Sequence, residues 1–375
     1  MKINAFITHK KAERFMDCQD RFSVNVDTKS IAVSDGMGSS WQQKIWASLL
    51  VEAFTSDSSW VPTRENISRL SYDWKKGVES FINELEQRQT SPNCSDIEKK
   101  QILSQIYRNK RNLLERKSAG ATLVGIRFLD GDKFETTVLG DSCLIVWDGT
   151  KAEFLTSQNN CEFDSYPDFF DSDPLKEGKG TVKNEVFNIE KNTYLFLVSD
   201  PFSEFLWERT KDNKIKDYID ELINLSSHED FELLVDKWRR EGMGNDDTTA
   251  IIITQDESNV LNKGIIDKIE EFIERETSSV KPANTTPQLV SSENVQNLTI
   301  NNEVNPEDLS KEIYHNCRKA WSGNNSYNIN IYNAIIRYLR KILKIKKTES
   351  KSKFEELTIN CIREVLNNYQ IYKKS

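Results

Sequence analysis

A chain of 375 residues is long enough for a sizeable core and more than one domain. Its formal net charge of −8 argues against nucleic acid as a partner of the whole molecule. Six scattered cysteines without a Cys-x-x-Cys pair exclude a zinc ribbon and a disulfide framework, and three histidines leave little material for a histidine-based metal site or triad. No apolar run approaches a membrane span, and Met1 to Phe15 lacks the apolar stretch of a signal peptide, so a cytoplasmic soluble protein is expected.

In chain order, Phe22 to Val26 alternates as a half-buried strand, and Ser30 to Ser34 is the next. The second stops at Asp35, followed by Gly36-Met37-Gly38 and a helix. Ser40 with Gln43 predicts a capping box there. Trp41, Ile45, Leu49 and Ala53 recur on one face, with Trp46, Leu50 and Phe54 beside them. Residues 56 to 117 predict two antiparallel helices. One carries Val78, Phe81, Ile82 and Leu85, the other Ile102, Ile106 and Leu113, with a break near Ser91.

From Ala121 the period becomes that of strands. Thr122 to Leu129, Phe134 to Leu139 and Cys143 to Trp147 are β-branched or aromatic runs with Asp-Gly turns after the first and third. Residues 156 to 185 predict a surface loop or flap. Tyr194 to Val198 is an apolar strand ending at Ser199-Asp200, residues 215 to 241 are helical, and Ala250 to Thr254 is a last buried strand. Ile265, Ile266, Ile269, Phe272 and Ile273 predict a short amphipathic helix within 257–276.

Residues 277 to 304 have the composition of a linker. Asn305-Pro306 then starts a basic helical module, 305–375, with three helices marked by Leu309 to Trp321, Tyr332 to Leu343 and Phe354 to Tyr369. Residues 306 to 375 carry a net +7 and the preceding 305 a net −15. In 331–347 the apolar face is opposed by Arg337, Arg340, Lys341, Lys344 and Lys347, so this helix suits a protein partner, an anionic membrane, or a solvated bundle face.

Carboxylates sit at strand ends throughout the first 256 residues. Asp35, Asp141 and Asp200 follow strands, while Asp20 and the pair Asp246-Asp247 precede them. Taken alone, Asp35 reads equally as an ordinary Asp-Gly turn, and Asp141 as a turn closure. Together, with so little histidine or cysteine, they describe an oxygen-rich site for Mg²⁺ or Mn²⁺. Two such ions sharing a carboxylate can activate a water and hold a phosphoryl group for in-line attack, with no nucleophilic residue required.

The ordered segments Gln19-Asp20, Ala32-Val33-Ser34-Asp35-Gly36-Met37-Gly38, Ser118-Ala119-Gly120-Ala121-Thr122, Gly140-Asp141-Ser142, Leu197-Val198-Ser199-Asp200 and Gly244-Asn245-Asp246-Asp247-Thr248-Thr249 resemble the motifs of the metal-dependent, type-2C serine/threonine protein phosphatases. The resemblance covers about residues 1 to 256, and Gln19-Asp20 with His9 ahead of it is most similar to the bacterial branch. It implies an α+β fold, a two-sheet antiparallel β-sandwich flanked by helix pairs, with the C-terminal helical module appended. It also implies two Mn²⁺ or Mg²⁺ ions and a third, looser one. Asp35 would bridge the two ions, the Gly36 carbonyl would bind the first, Asp200 and Asp246 the second, and Asp141 the third. Asp20 would act through bound water. The water bridging the ions would attack phosphoserine or phosphothreonine of a protein substrate, in opposition to a cognate kinase. Asp246 is preferred to Asp247 as the ligand, within one residue of register.

Three positions depart from the family. The phosphate-binding arginine falls at Phe15, so Arg14 is the candidate, with Lys10 or Lys11 as substitutes. Ser199-Asp200 is followed by Pro201 where glycine is usual. Met37 replaces a histidine of eukaryotic members. These departures leave an alternative open: a catalytically degenerate domain that binds phosphoproteins or scaffolds a complex. His9 is open between a structural hydrogen bond and a role at the site.

Overall fold

Strands covered on both faces carry unbroken apolar runs, and Tyr194–Val198 and Thr248–Thr254 do so at the centre of this protein. The computed structural model describes residues 1–279 except Asn93, Gly131, 158–166, Glu177, Lys191 and 256–259. The chain divides into two units, Met1–Ala283 and Asn284–Ser375. The expected helical module, 305–375, and nearly all of the expected linker lie outside the described residues. Among the described residues no helix is long and apolar enough to cross a membrane.

One sheet has six strands. In spatial order these are β13 (Asn262–Ile266), β1 (Lys2–Thr8), β12 (Thr248–Thr254), β11 (Tyr194–Val198), β7 (Cys143–Trp147) and β8 (Ala152–Leu155). The other has five: β10 (Lys183–Asn188), β6 (Lys133–Leu139), β5 (Leu123–Leu129), β3 (Ser30–Ser34) and β2 (Arg21–Asn25). A short pair, β4 (Gly120–Ala121) with β9 (Phe170–Asp171), stands apart. All these pairings are antiparallel except β1 with β13, which is parallel.

The pleat sends alternate side chains to opposite faces, and this builds four layers. Leu195, Leu197, Ile251 and Ile253 meet Ile31, Val33, Val124 and Ile126 between the sheets. Phe196, Val198, Ala250 and Ile252 face outward onto α4 (Asp200–Lys211), α5 (Ile215–Ile223) and α6 (His228–Arg240). On the other side, Ala32, Leu123 and Leu139 meet α1 (Gln43–Ser56), α2 (Arg64–Thr90) and α3 (Asp96–Leu114). This is the expected α+β sandwich with helices on both faces.

Several elements differ from the sequence reading. Strand β1 was not anticipated, yet it lies between β12 and β13 with Phe6 and Ile7 buried. Residues 215–241 form two helices. Ile265 and Ile266 belong to β13, and the amphipathic helix α7 starts at Ile269 and runs to Ser279. The capping box at Ser40 does not form. The Ser40 hydroxyl donates to Met37 O and accepts from Gly120 N (2.9 Å each), so a tertiary partner outcompetes the local one. Helix α1 begins instead after Gln42, whose φ is +56°. Trp41 and Gln42 both donate to Asn109 Oδ1 at 2.9 Å, which ties this start to α3.

Candidate metal centre

Strand register brings the acidic residues to one end of the sandwich. Arg21 of β2 pairs with Ser34 of β3, so Asp20 and Asp35, each one residue beyond, lie side by side. Val198 of β11 pairs with Cys143 of β7 and with Ala250 of β12. Asp200 therefore lies level with Asp141 on one side and with Thr248, next to Asp246-Asp247, on the other.

Each carboxylate is fixed by its neighbours. Asp35 N donates to Thr122 Oγ1 (3.0 Å), and Thr122 N donates to Asp35 O (2.9 Å). Thr122 Oγ1 also shares a hydrogen bond of 2.7 Å with Ser142 Oγ. Asp20 is fully buried; its Oδ2 accepts from Thr249 Oγ1 at 2.8 Å, while its Oδ1 has no hydrogen-bond partner. The Ser203 hydroxyl donates to the backbone oxygens of both Asp141 (2.9 Å) and Asp200 (3.0 Å), locking α4 to the β6–β7 turn. A side chain at Gly36 would meet Gln43 Cγ at 2.8 Å, so the backbone there is closely enclosed.

Asp246 and Asp247 have separate tasks. Asp247 is 2 % exposed and accepts from Lys10 N (2.9 Å) and Gln19 N (2.7 Å), so both its oxygens close loops. Asp246 is half-buried; its Oδ1 accepts from Asp247 N and lies 2.6 Å from Lys10 Nζ. Of the two, Asp246 is the more exposed carboxylate.

The charges crowd one another. Burial pushes the carboxyl of Asp35 well above the usual range, and Asp200, Asp141 and Asp246 add to it. Burial does the same to Asp200, reinforced by Asp141, Asp246, Asp20 and Glu204, and to Asp20, reinforced by Asp35 and Asp247. For Lys10, burial opposes the charge, but the hydrogen bond and charge of Asp246 outweigh it and hold the ammonium protonated above its ordinary range.

Among the described residues, no group of three His, Cys, Asp or Glu side chains stands in a metal-holding arrangement. The donor set nevertheless fits a hard divalent ion: carboxylate oxygens only, mutually repelling, one of them bare and buried at Asp20 Oδ1. Positive charge at this end would relieve that repulsion.

Other candidates fall elsewhere. Arg14 is mostly exposed, and its Nε lies 3.2 Å from Asp17 Oδ2; among the described residues no hydrogen bond or ion pair joins it to the clustered aspartates. Phe15 beside it is buried, stacked on Phe272 of α7 at 4.6 Å and bonded through its N–H to Glu276 Oε1. His9 Nδ1 lies 2.8 Å from Lys10 O, and its ring sits edge-on to Phe15, which is a structural setting. Pro201 occupies the first turn of α4 behind the N-cap Ser199, where no amide donor is needed. The sequence reading assigned no role to Ser199 or Thr249 within their motifs, nor to Ser203: the Thr249 and Ser203 hydroxyls hold aspartates, and Ser199 Oγ accepts from Thr249 N.

A family model described as protein phosphatase 2C matches residues 10–238. Among solved structures, the chain is similar to the catalytic domain of the serine/threonine phosphatase PstP in complex with two manganese ions. Identity is 14 % over 67 % of this chain and 96 % of that one, with a TM-score of 0.39. Stp1 from Staphylococcus aureus matches at 14 % identity over 68 % and 94 %, with a TM-score of 0.42. PppA of Pseudomonas aeruginosa matches at 15 % over 67 % and 95 %, with a TM-score of 0.39. No curated protein matches.

Proposed function

Because this chain belongs to the protein phosphatase 2C family, we propose that its first 256 residues hydrolyse phosphoserine and phosphothreonine in protein substrates with the help of Mn²⁺ or Mg²⁺. The observation that carries this reading is the convergence of Asp20, Asp35, Asp141, Asp200 and Asp246 on one end of the sandwich, each raising its neighbours' proton affinity. Asp35, the Gly36 carbonyl, Asp200 and Asp246 would hold two ions, and Asp141 a third. Bound, these ions supply an acidified water as nucleophile and positive charge for the phosphoryl oxygens.

The chain's own residues do the rest. Asp20, anchored through Oδ2 by Thr249, offers its bare Oδ1 as a hydrogen-bond acceptor inside the cluster. Thr122 keeps the Asp35 backbone in place from both directions. Lys10 supplies a fixed ammonium beside Asp246 for the charge of the transferring phosphoryl group. Arg14 would reach that group only by leaving Asp17. The partners are a phosphoprotein and the kinase that made it.

One observation favours the second reading, a degenerate phosphoprotein-binding domain: the Lys10 ammonium already engages a ligand carboxylate. Phosphate release from a phosphothreonine peptide, with Mn²⁺ and with EDTA, separates the two when wild type is compared with Asp200→Asn. The enzyme reading requires Mn²⁺-dependent release that the substitution abolishes. Absence of release from the folded wild-type protein under any divalent ion would leave the binding reading standing.

A further inference from the structure

Away from the aspartates, two adjoining cavities open between the α2–α3 pair and the segment after β9. The first, about 300 Å³, has Lys75, Arg116 and Lys117 on its walls beside the exposed Tyr72. The second, about 330 Å³, adds Arg64, Lys176 and Lys179. Ser68 and Pro174 belong to both, so the two form one trough.

The balance of charge in this trough is the reverse of the domain's. Among the described residues its two carboxylates hold local structure: Asp171 accepts from Ser118 Oγ and Asp173 N and faces the charge of Lys176, and Asp173 accepts from Leu175 N. Among the described residues, Lys75, Arg116 and Lys117 are exposed and make no ion pair. Three cations that close no ion pair among the described residues, on a chain of net charge −8, form a local basic surface, although Lys117 also feels the charge of its neighbour Glu115.

The trough also adjoins the candidate centre. Gly36 bridges to Ala121 of β4, Ala121 pairs with Phe170 of β9, and Phe170 lines the second cavity. Two strand spacings, about 10 Å, therefore separate the backbone of Gly36 from the trough. A peptide with its phosphoresidue at the aspartates spans that distance within about three extended residues.

We propose that this trough docks an acidic segment of the phosphoprotein substrate, with Asp and Glu side chains near the phosphoresidue pairing with Lys75, Arg116 and Lys117. The proposal rests on the phosphatase reading for its occupant. Cations spread along a trough match several separated charges better than one compact phosphate. The chain's own C-terminal residues 306–375, with a net charge of +7, lack the complementary charge such an occupant needs.

The test is binding, which requires no turnover. Fluorescence anisotropy of a labelled, unphosphorylated Glu-rich peptide is measured against the full chain, with a Gln-matched peptide as control. Wild type is expected to prefer the Glu-rich peptide, and Lys75→Glu/Arg116→Glu/Lys117→Glu to bind it about tenfold more weakly, the size that three exposed ion pairs supply together. If the charge-reversed protein does not melt cooperatively, Lys75→Gln/Arg116→Gln/Lys117→Gln takes its place, with the same direction expected. Equal binding of the Glu-rich peptide by wild type and variant, or no preference for Glu over Gln in wild type, overturns the proposal. So does a preference for phosphatidylserine vesicles over the peptide that disappears in the variant. Failure of phosphate release in the separate Mn²⁺ assay strikes the phosphatase reading and leaves this measurement intact.

Discussion

Lys10 Nζ lies 2.6 Å from Asp246 Oδ1, so one carboxylate of the acidic cluster already holds a cation supplied by the chain itself. On the proposed reading that ammonium and a divalent ion would compete for the same oxygen, while the ammonium would also offer charge to a phosphoryl group. Lys10→Met should therefore tighten Mn²⁺ binding about fivefold by isothermal titration. It should at the same time lower kcat on a phosphopeptide about tenfold or more. Weaker Mn²⁺ binding in the variant would show that the pair does not oppose the ion.

Asp35 is crowded by Asp200, Asp141 and Asp246, and burial raises its proton affinity first of all. A raised carboxyl contributes stability below its unfolded pKa and loses it as pH rises. At neutral pH without metal the cluster is therefore a strain on the fold. In EDTA, Asp35→Asn should melt higher than wild type, by the equivalent of about 1–2 kcal/mol. In Mn²⁺ the order should reverse, and phosphate release should fall about a hundredfold or more. Thermal melts in both buffers decide it.

Pro201, the departure from the family motif after Asp200, fits the first turn of α4. Pro201→Gly should keep phosphate release within a few-fold and cost about 0.5–1 kcal/mol in urea unfolding, through the freer unfolded chain. A gain in activity of tenfold or more would mean that the proline, not the helix start, constrains Asp200.

His228 is the group whose titration matters near neutrality. Burial disfavours its charge, but Asp267 at 2.7 Å and Glu232 at 3.4 Å outweigh that and raise its pKa to about 9. A histidine raised above its unfolded value stabilises the fold fully below about pH 6.5, and that contribution is lost as pH rises through about 9. Wild type should therefore lose up to about 3 kcal/mol more than His228→Gln between these limits. Parallel pH profiles for the two proteins would remove the histidine from the account.

How far the sequence carries the fold depends on what covers each element. Strands β11 and β12 were legible because both faces are buried and their apolar runs are unbroken. Strand β1 was not, because Asn4 interrupts the apolar run Ile3-Asn4-Ala5-Phe6-Ile7. Its Asn4 Oδ1 in fact accepts from Ile265 N at 2.9 Å, a partner about 260 residues away that no local pattern encodes. The helix after Asp200 is hidden in the sequence by Pro201, which breaks the motif and yet sits in the helix's first turn.

The same contrast holds at the candidate site. The aspartates stood out because carboxylates at strand ends are chemically unusual, whereas Thr122, Thr249 and Ser203 are residues that cores use everywhere. Arg14 was matched by position in the chain. One residue of displacement, with Phe15 taking the buried place, sends its guanidinium outward to Asp17.

Helix α7 is also the route by which the polypeptide leaves the described domain, and it grips the very segment that carries Lys10. Phe272 stacks on both Phe15 and His228, and Glu276 holds the Phe15 amide. The last described helix and the segment after Lys10 therefore share one anchor, Phe15, held by a ring and a carboxylate. The domain's exit is in this sense a handle on its entrance.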